Sequence, residues 1–183
     1  IQYRMHPKIS KWPAKHFYRS KLTDGSNVQG PDYSQPWHDE FPPLAVYDAE
    51  GEEEASDSKG WYNPFEVIVV VRAIRKFAGL LEKHRITKET SIAVISPYKA
   101  QVAQINAELI SLRFEENIKI ECSTVDAFQG KECDIVIFSA VRSNGKLGFL
   151  TDMRRFNVAI TRAKYALLVI GNHETLSLSL IHI

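Results

Sequence analysis

The chain has 183 residues, of which 44% are hydrophobic and 25% are charged, proportions typical of one soluble globular domain. Its net charge of +1 excludes a protein-wide basic field, so any nucleic-acid contact must come from a local patch. Cys122 and Cys133 have neither CxxC nor zinc-ligand spacing, and we expect reduced thiols. Without a signal-peptide pattern or an apolar run of about eighteen residues, we expect an intracellular protein with no membrane partner.

Hydrophobic periodicity predicts alternating helices and strands along the chain. The predicted helices cover residues 7–17, 63–84, 98–112 and 152–164, and the predicted strands cover residues 44–47, 91–96, 118–122, 134–141 and 166–170. Because these strands are nearly continuously apolar, we expect an α/β fold with a mainly parallel sheet and helices on both of its faces.

Within the longest predicted helix, the residues expected to form the buried face are Phe65, Ile68, Val71, Ile74, Ala78 and Leu81. Residues 24–60 read as a loop-rich insertion, and the acidic run at 50–57 as a solvated loop. The repetitive residues 176–183 are expected to be a non-native or disordered tail. Since the chain opens at once on a dense polar motif, we expect that an upstream part is missing.

Polar clusters flank the predicted strands. Tyr98 follows one strand, Asp126 follows the next, and Arg142 follows the strand at 134–141, while Tyr3 and Arg4 precede the first helix. In parallel sheets, ligands bind beyond the carboxyl ends of the strands. We therefore expect these clusters to lie together at that edge of the sheet.

The stretch STVDAFQGKECD at residues 123–134 has two features that suit a ligand. Gly130 lets backbone N–H groups approach closely, and Glu132 can accept hydrogen bonds from sugar hydroxyls. The alternative is a plain turn with a solvated Lys-Glu pair. The stretch by itself does not decide between them.

On the predicted helix at 152–164, Arg155 and Arg162 are seven residues apart and share a face, which suits phosphate recognition. The alternative is a solvated basic face. The sequence contains no GxxxxGK[ST] loop and no acidic pair after an apolar strand. If the chain takes part in nucleotide chemistry, we expect it to supply half of the site.

Four stretches resemble motifs IV, IVa, V and VI of superfamily 1 helicases, in the right order. They are QYRMHP, ISPYKAQV, STVDAFQGKECDIVIFSAVRSN and GFLTDMRRFNVAITRAKYALLVIGN. The group with the nonsense-mediated-decay helicase and senataxin is the most similar, and residues 36–48 are nearer to senataxin, which favours a nuclear over a cytoplasmic location. The resemblance covers the chain apart from the acidic run and the tail, and motifs I, Ia, II and III are absent.

The resemblance implies that residues 1–175 form the second RecA-like domain (P-loop NTPase type), with the first domain missing upstream. ATP would lie between the two domains, with Mg²⁺ held by the first. Tyr3 would stack on adenine, Arg4 and Arg162 would reach the γ-phosphate, and Gly130 and Glu132 would contact the nucleotide. Arg155 is expected to be structural or interdomain. His6 is expected to be structural, and Pro7 to occupy the first turn of a helix.

For single-stranded RNA or DNA, the resemblance implies contacts by six residues and coupling to the ATP site by two more. The contact residues are Pro97, Tyr98, Gln101, Ser123, Thr124 and Val125, and the coupling residues are Asp126 and Gln129.

The sequence thus predicts the C-terminal half of a monomeric, ATP-dependent 5′-to-3′ helicase, inactive as a fragment. The alternative is a degenerate module that binds nucleic acid or a partner without turnover. A stand-alone metabolic enzyme would need a nucleophile-base pair, which we do not find in the sequence.

Overall fold

The computed structural model describes residues 1–57 and 60–178. Numbered in chain order, the strands are β1 (Leu44–Asp48), β2 (Glu54–Ser56), β3 (Gly60–Tyr62), β4 (Thr90–Ser96), β5 (Ile118–Thr124), β6 (Cys133–Ser139) and β7 (Ala163–Gly171). Five of them form a sheet in the order β1-β7-β6-β4-β5, in which every neighbouring pair is parallel. The predicted RecA-like α/β fold with a parallel sheet is confirmed.

Helices precede, separate and follow these strands, and several begin at residues suited to helix starts. They are α1 (Pro7–Phe17), α2 (Ser26–Gln29), α3 (Pro64–Lys83), α4 (Lys99–Ile110), α5 (Met153–Ile160) and α6 (His173–Leu178). Pro7 opens α1, as predicted, where its missing N–H costs no hydrogen bond. The Asn63 side chain caps α3 by accepting from the Glu66 N–H at 3.1 Å. Over the described ranges, none of these helices is both long and apolar enough to cross a bilayer.

The two central strands form the driest part of the molecule. Residues 92–95 of β4 and 135–138 of β6 are 0% exposed, because strands lie on both sides of them and helices cover both faces. At the open edge of the sheet, Val46 and Tyr47 of β1 remain 42% and 44% exposed. The near-continuous apolar runs that predicted buried strands therefore mark the middle of the sheet.

One face of the sheet is covered by α1, α5 and the crossover from β5 to β6. Phe156 of α5 is fully buried there, with its ring centroid 5.7 Å from that of Trp12 and 5.1 Å from that of Phe138. The crossover adds Val125 and Phe128, which are both buried in the same apolar cluster. Aromatic edge-to-face contacts thus fix α1 and α5 against the sheet.

The opposite face is covered by α3, α4 and part of the predicted insertion. Trp37 is 1% exposed, and its ring centroid lies 5.8 Å from that of Phe77 on α3. Phe41 lies 4.4 Å from the same ring. Residues 24–60, predicted to be a loop-rich insertion, therefore supply aromatic side chains to the core, and they also contain β1 of the main sheet.

The helix α3 is confirmed, but its predicted buried face is only partly right: Ile74 and Leu81 are buried as predicted, at 0% and 2% exposed. Phe65 and Ile68 are 38% and 50% exposed, whereas Val70 and Phe77 are buried. The helix has apolar residues on more than one side, so its periodicity does not fix which side faces the sheet.

The acidic run is not a plain solvated loop. It contains β2, which pairs antiparallel with β3. The Glu53 side chain is only 3% exposed and accepts a hydrogen bond from the Ser143 N–H at 2.9 Å. A buried acceptor with a backbone donor is stable where a free carboxylate is not, so the prediction fails at this residue.

Two boundaries also differ. The predicted helix at 152–164 ends at Ile160, and Arg162 lies between α5 and β7, so Arg155 and Arg162 do not share a helix face. The predicted tail begins too early, because Leu176 lies in α6 and is 4% exposed in the core, and residues 179–183 lie outside the described residues.

His38 generates a prediction about pH. Its Nδ1 accepts from the Gln35 N–H at 3.1 Å and its Nε2 donates to the Tyr165 carbonyl at 3.1 Å, so the folded chain holds a neutral ring. Burial lowers the pKa of His38 to about 4, from an ordinary 6.5. Because the folded pKa is depressed, this stabilisation is complete above pH 6.5 and is lost as the pH falls towards 4.

We predict that the difference in melting temperature between the wild-type chain and His38→Gln narrows by a few degrees over this pH range, since each kcal/mol is worth roughly 2–4 °C in a domain of this size. His173→Gln, at an exposed position, is the control. A difference that stays constant from pH 7 to pH 4 would contradict the assignment.

Candidate functional site

The first six residues are held over the amino end of β7. The Gln2 side-chain oxygen accepts from the N–H groups of Arg4 and Met5 at 2.9 and 2.8 Å. The His6 N–H donates to the Lys164 carbonyl at 2.8 Å. The backbone at Tyr3 and Arg4 is thereby fixed beside β7. Gln2 was missed by the sequence analysis, and only its place in the motif could have indicated it.

His6 acts within this segment as a structural residue, as expected. Its Nδ1 accepts from the Lys8 N–H at 3.1 Å and so caps α1. Burial, then the charge of Lys8, lowers the pKa of His6.

Glu132 lies between two cations at the amino ends of β6 and β7. Its Oε2 accepts from Arg4 Nε at 2.9 Å, and its Oε1 pairs with Lys164 Nζ at 2.8 Å. The hydrogen bonds from Lys164 and Arg4 hold the pKa of Glu132 below its usual range. Both carboxylate oxygens are therefore engaged. Lys164 is a charged member of this cluster that the sequence analysis did not select.

Arg162 lies beside Arg4 and has no salt bridge to an acid among the residues that the structure describes. Its Nε is buried and has no hydrogen-bond partner within residues 1–57 and 60–178. Burial, then the positive charge of Arg4, lowers the pKa of Arg162. Arg4 also donates from Nη1 to the Thr161 carbonyl at 3.4 Å. Two guanidinium groups held close together raise the local positive potential, which favours an anion.

Tyr3 lines an open cavity next to these arginines. Tyr3 is 61% exposed, and its backbone carbonyl accepts a hydrogen bond from Asn27 Nδ2 at 2.9 Å. The ring lies against Gly25, where an added Cβ would stand only 2.3 Å from Tyr3 Cδ1. The cavity has a volume of about 400 Å³ and is lined in part by Tyr3, Arg4, Met5, Tyr18, Leu22 and Glu132.

This cluster lies at the amino edge of the sheet, so the prediction that all polar clusters share the carboxyl edge is wrong. Glu132 directly precedes β6, and Arg162 directly precedes β7. A connection between parallel strands must return to the amino edge before the next strand begins. Gly130 lies near the end of such a return, exposed and with φ +87°, a conformation that suits glycine.

The predicted nucleic-acid residues lie at the opposite, carboxyl edge. The strand register brings Ser96 beside Thr124, so the ends of β4 and β5 are adjacent. Pro97 and Tyr98 follow β4 and are partly exposed, as are Ser123 and Thr124. The Tyr98 hydroxyl accepts from the Phe149 N–H at 3.2 Å. Strands of seven residues separate the two edges by about 20 Å.

Two of the predicted contacts do not reach this surface through their side chains. Gln101 is 0% exposed, because its amide bridges the Asn63 N–H at 2.8 Å and the Ser139 hydroxyl at 2.9 Å. The Val125 side chain is 3% exposed and packs in the core. We therefore correct the assignment of Gln101 from a contact to a buried brace, and limit any contact by Val125 to its backbone.

The two predicted coupling residues lie at the start of the β5–β6 crossover. Asp126 pairs with Arg155 of α5, with 3.0 Å between Oδ1 and Nε. The Arg155 guanidinium also lies over the Phe149 ring at 4.8 Å, which is a structural role for this residue. Gln129 is exposed, and its N–H donates to the Asp126 carbonyl at 3.2 Å. Coupling by Asp126 and Gln129 stays a prediction.

A buried polar network behind the carboxyl edge was missed by the sequence analysis. Glu66 is 0% exposed and accepts from the Ser139 hydroxyl at 2.5 Å and from the Val141 N–H at 3.0 Å. Burial raises the pKa of Glu66 to about 7, although these hydrogen bonds act in the opposite direction. The signal that could have found it is the spacing of Asn63 and Glu66, which is that of a capping box.

The chain matches the family model of an AAA domain (AAA_12) over residues 1–174. It is 42% identical over 182 residues to Helicase sen1 of Schizosaccharomyces pombe, covering 96% of this chain and 11% of that protein. It is 35% identical over 179 residues to Probable helicase senataxin of Homo sapiens, covering 96% of this chain and 6% of that protein. It is 36% identical over 190 residues to the Regulator of nonsense transcripts 1 homolog of Drosophila melanogaster, covering 97% of this chain and 15% of that protein.

The chain therefore spans a small part of the length of each of these relatives. The similarity nevertheless covers nearly all of this chain, including the cluster around Arg4 and the network around Glu66. The family model includes every strand of the sheet. The chain belongs to the AAA_12 family, the C-terminal RecA-like domain of superfamily 1 helicases.

Proposed function

We propose that this domain is the second half of an ATP-dependent helicase that moves 5′-to-3′ along single-stranded RNA or DNA. Its amino edge completes an ATP site formed with a first RecA-like domain upstream in the same chain. Its carboxyl edge, with Pro97, Tyr98, Ser123 and Thr124, contacts the strand. The names of the relatives, which are helicases, support the class of activity.

One observation carries this proposal. Burial, and then the nearby charge of Arg4, lower the pKa of Arg162, and the buried Arg162 Nε has no partner within the described residues. A protein gains no stability from such a pair by itself, since like charges repel. Phosphate oxygens would relieve the repulsion and supply the missing acceptor.

The residues present suit a nucleotide in other respects. Tyr3 offers an exposed aromatic face beside a cavity of about 400 Å³. Glu132 is held by Arg4 and Lys164 and could accept from ribose hydroxyls if those cations turned towards phosphate. The described residues contain no group of three His, Cys, Asp or Glu side chains able to hold a metal ion, and we propose that the upstream domain binds Mg²⁺.

Each residue has a distinct part in this proposal. Arg4 and Arg162 neutralise charge that develops on the transferred phosphoryl group, an effect worth roughly 10³–10⁵ in rate when an arginine is supplied in this way. Tyr3 binds adenine. Asp126 and Gln129 lie on the crossover that leads from the strand-binding edge to Glu132, and we propose that they connect the two events.

The second candidate is a module that binds nucleic acid or a partner without turnover. It would have no need for an Arg162 whose buried Nε, next to Arg4, has no partner within the described residues, so the geometry favours the catalytic proposal. The Arg162 variants below distinguish the two.

We predict that Arg162→Ala in the full-length protein lowers kcat for ATP by roughly 10²-fold or more and changes nucleotide affinity much less, because the guanidinium acts mainly in the transition state. Arg162→Lys should restore little, since an ammonium cannot span two phosphate oxygens. Steady-state phosphate release measures both effects.

Arg155→Ala is the control for Arg162, because Arg155 is bound to Asp126 and Phe149 and should affect mainly the melting temperature. Wild-type turnover from Arg162→Ala would remove the basis for a catalytic role and favour the binding module.

We predict that Tyr3→Ala raises the KM for ATP more than it lowers kcat, since stacking acts equally in the ground and transition states. Gly25→Ala should do the same, because its Cβ would stand 2.3 Å from Tyr3 Cδ1 while the Gly25 backbone, at φ −70°, accepts alanine. The two effects should not add in the double variant.

Gly30→Ala is the matched control for Gly25. It has a similar backbone conformation, with φ −76°, and its Cβ would meet nothing closer than 3.5 Å. An unchanged KM in both Tyr3→Ala and Gly25→Ala would mean that the Tyr3 ring does not bind adenine.

We predict that the 183 residues alone do not hydrolyse ATP, because the sequence lacks a phosphate-binding GxxxxGK[ST] loop. The measurement is phosphate release with saturating single-stranded RNA. Turnover of about 1 s⁻¹ or faster, within the ordinary range for enzymes, would contradict a division of the site between two domains.

A further inference from the structure

A strained turn follows the central strand β6. Val141 has φ +72°, and the N–H of Arg142 donates to the carbonyl of Ala140 at 2.9 Å. A hydrogen bond between residues two apart across a left-handed residue defines the rarer, strained form of γ-turn. Valine is β-branched and is among the residues least suited to that conformation. The surrounding structure must therefore hold the turn in place.

The Glu66 carboxylate holds this turn from inside the protein. Both of its oxygens lie 3.0 Å from the Val141 nitrogen, and Oε2 also accepts from the Ser139 hydroxyl at 2.5 Å. Asn63 Nδ2 donates to the Val141 carbonyl at 3.4 Å. The N–H and the carbonyl of Val141 are thus both bound by side chains at the start of α3.

Helix capping does not account for Glu66. The cap of α3 is supplied by the Asn63 side chain, and the Asn63 N–H is bound by Gln101. The Glu66 side chain instead leaves its own helix to reach β6. A fully buried carboxylate is costly unless its hydrogen bonds are made in full. We infer that the network holds the backbone conformation of the turn that follows β6.

The backbone that follows this turn leads to the proposed strand-binding edge. Beyond the turn, the Arg142 guanidinium lies 4.5 Å from the centroid of the Trp61 ring. The following loop passes close to Tyr98 at Gly148: a Cβ added there would stand 2.4 Å from the Tyr98 hydroxyl and 3.2 Å from Arg142 Cγ. The Phe149 N–H then donates to the same hydroxyl. The turn thus sets the loop at 142–149 against Tyr98.

We propose that Glu66 is a positioning residue for single-stranded nucleic acid, which it serves by holding the strained turn at Val141 and, through the loop at 142–149, the orientation of Tyr98. This inference rests on the proposed function and adds a residue that does not itself touch the strand. Ser139 and Gln101 belong to the same support.

The test uses the full-length protein and a fluorescently labelled single-stranded oligouridylate. Glu66→Gln should weaken binding roughly tenfold, as expected for the loss of about one buried hydrogen bond, because the NH₂ end of the amide cannot accept from the donors that bind the second carboxyl oxygen. The KM for ATP should stay near the wild-type value. Glu108→Gln, on the exposed surface of α4, is the matched control.

The Val141→Gly substitution distinguishes an effect on strand binding from an effect on stability. Glycine adopts φ +72° without strain, so Val141→Gly should restore binding in the Glu66→Gln background to within about threefold of the wild type. The same double variant should have the lowest melting temperature, because a buried valine is lost as well. A residue with only a structural role would instead lose affinity and stability together.

Several results would overturn the inference. Wild-type affinity from Glu66→Gln would do so, as would a double variant that binds as weakly as Glu66→Gln. If Glu66→Gln does not fold, Ser139→Ala removes one donor to the carboxylate and must weaken binding in the same direction. If the wild-type protein binds neither the oligouridylate nor an oligothymidylate of the same length, the proposed function fails and this inference fails with it.

Discussion

Parallel pairing is the constraint on which the rest of this structure depends. Every neighbouring pair in the five-stranded sheet is parallel, so each connection must travel the length of the sheet before the next strand begins. Connections therefore touch both edges. The β5–β6 crossover starts near Asp126 at the carboxyl edge and ends at Glu132 at the amino edge. The segment through α5 runs in the same direction, from Arg155 to Arg162.

This geometry gives two chemically different edges. At the amino edge, Arg4 and Lys164 pair with the carboxylate of Glu132, Arg162 lies beside Arg4, and Arg4 and Glu132 line an open cavity. A local cluster of cations therefore exists in a chain with a net charge of only +1. At the carboxyl edge, partly exposed hydroxyl and aromatic groups predominate. Each crossover is one continuous segment packed on the same core, which is the arrangement that the proposed coupling between the edges requires.

Buried polar groups shape the carboxyl edge. Glu66 binds the turn at Val141, and Glu53 binds the backbone of Ser143 two residues later. Both acids come from parts of the chain distant from β6, namely the start of α3 and the segment before β2. Such networks fix a single conformation when all their members are bonded, and they penalise any other arrangement of the loop.

The sequence by itself determined the fold class and most of the elements. Nearly continuous apolar runs of strand length, such as residues 134–141, favour buried strands of a covered sheet, although β6 ends at Ser139 and Val141 lies in a turn. Local chemistry likewise determined the start of α1 at Pro7. The motif order indicated Tyr3, Arg4, Glu132 and Arg162, since those residue types at those positions resemble a helicase family.

Tertiary structure decided what depends on distant partners. The apolar residues of α3 surround the helix, and only packing selected Val70 and Phe77 over Phe65 and Ile68. Gln101 has the polarity of a surface contact, yet it is buried because Asn63 and Ser139 satisfy its amide. Lys164 and Arg4 are 160 residues apart and meet only at Glu132. The sequence determined which chemical groups the chain contains. The crossovers of the parallel sheet decided which of these groups lie at the same edge, because strand pairing brings together residues that periodicity along the chain does not relate.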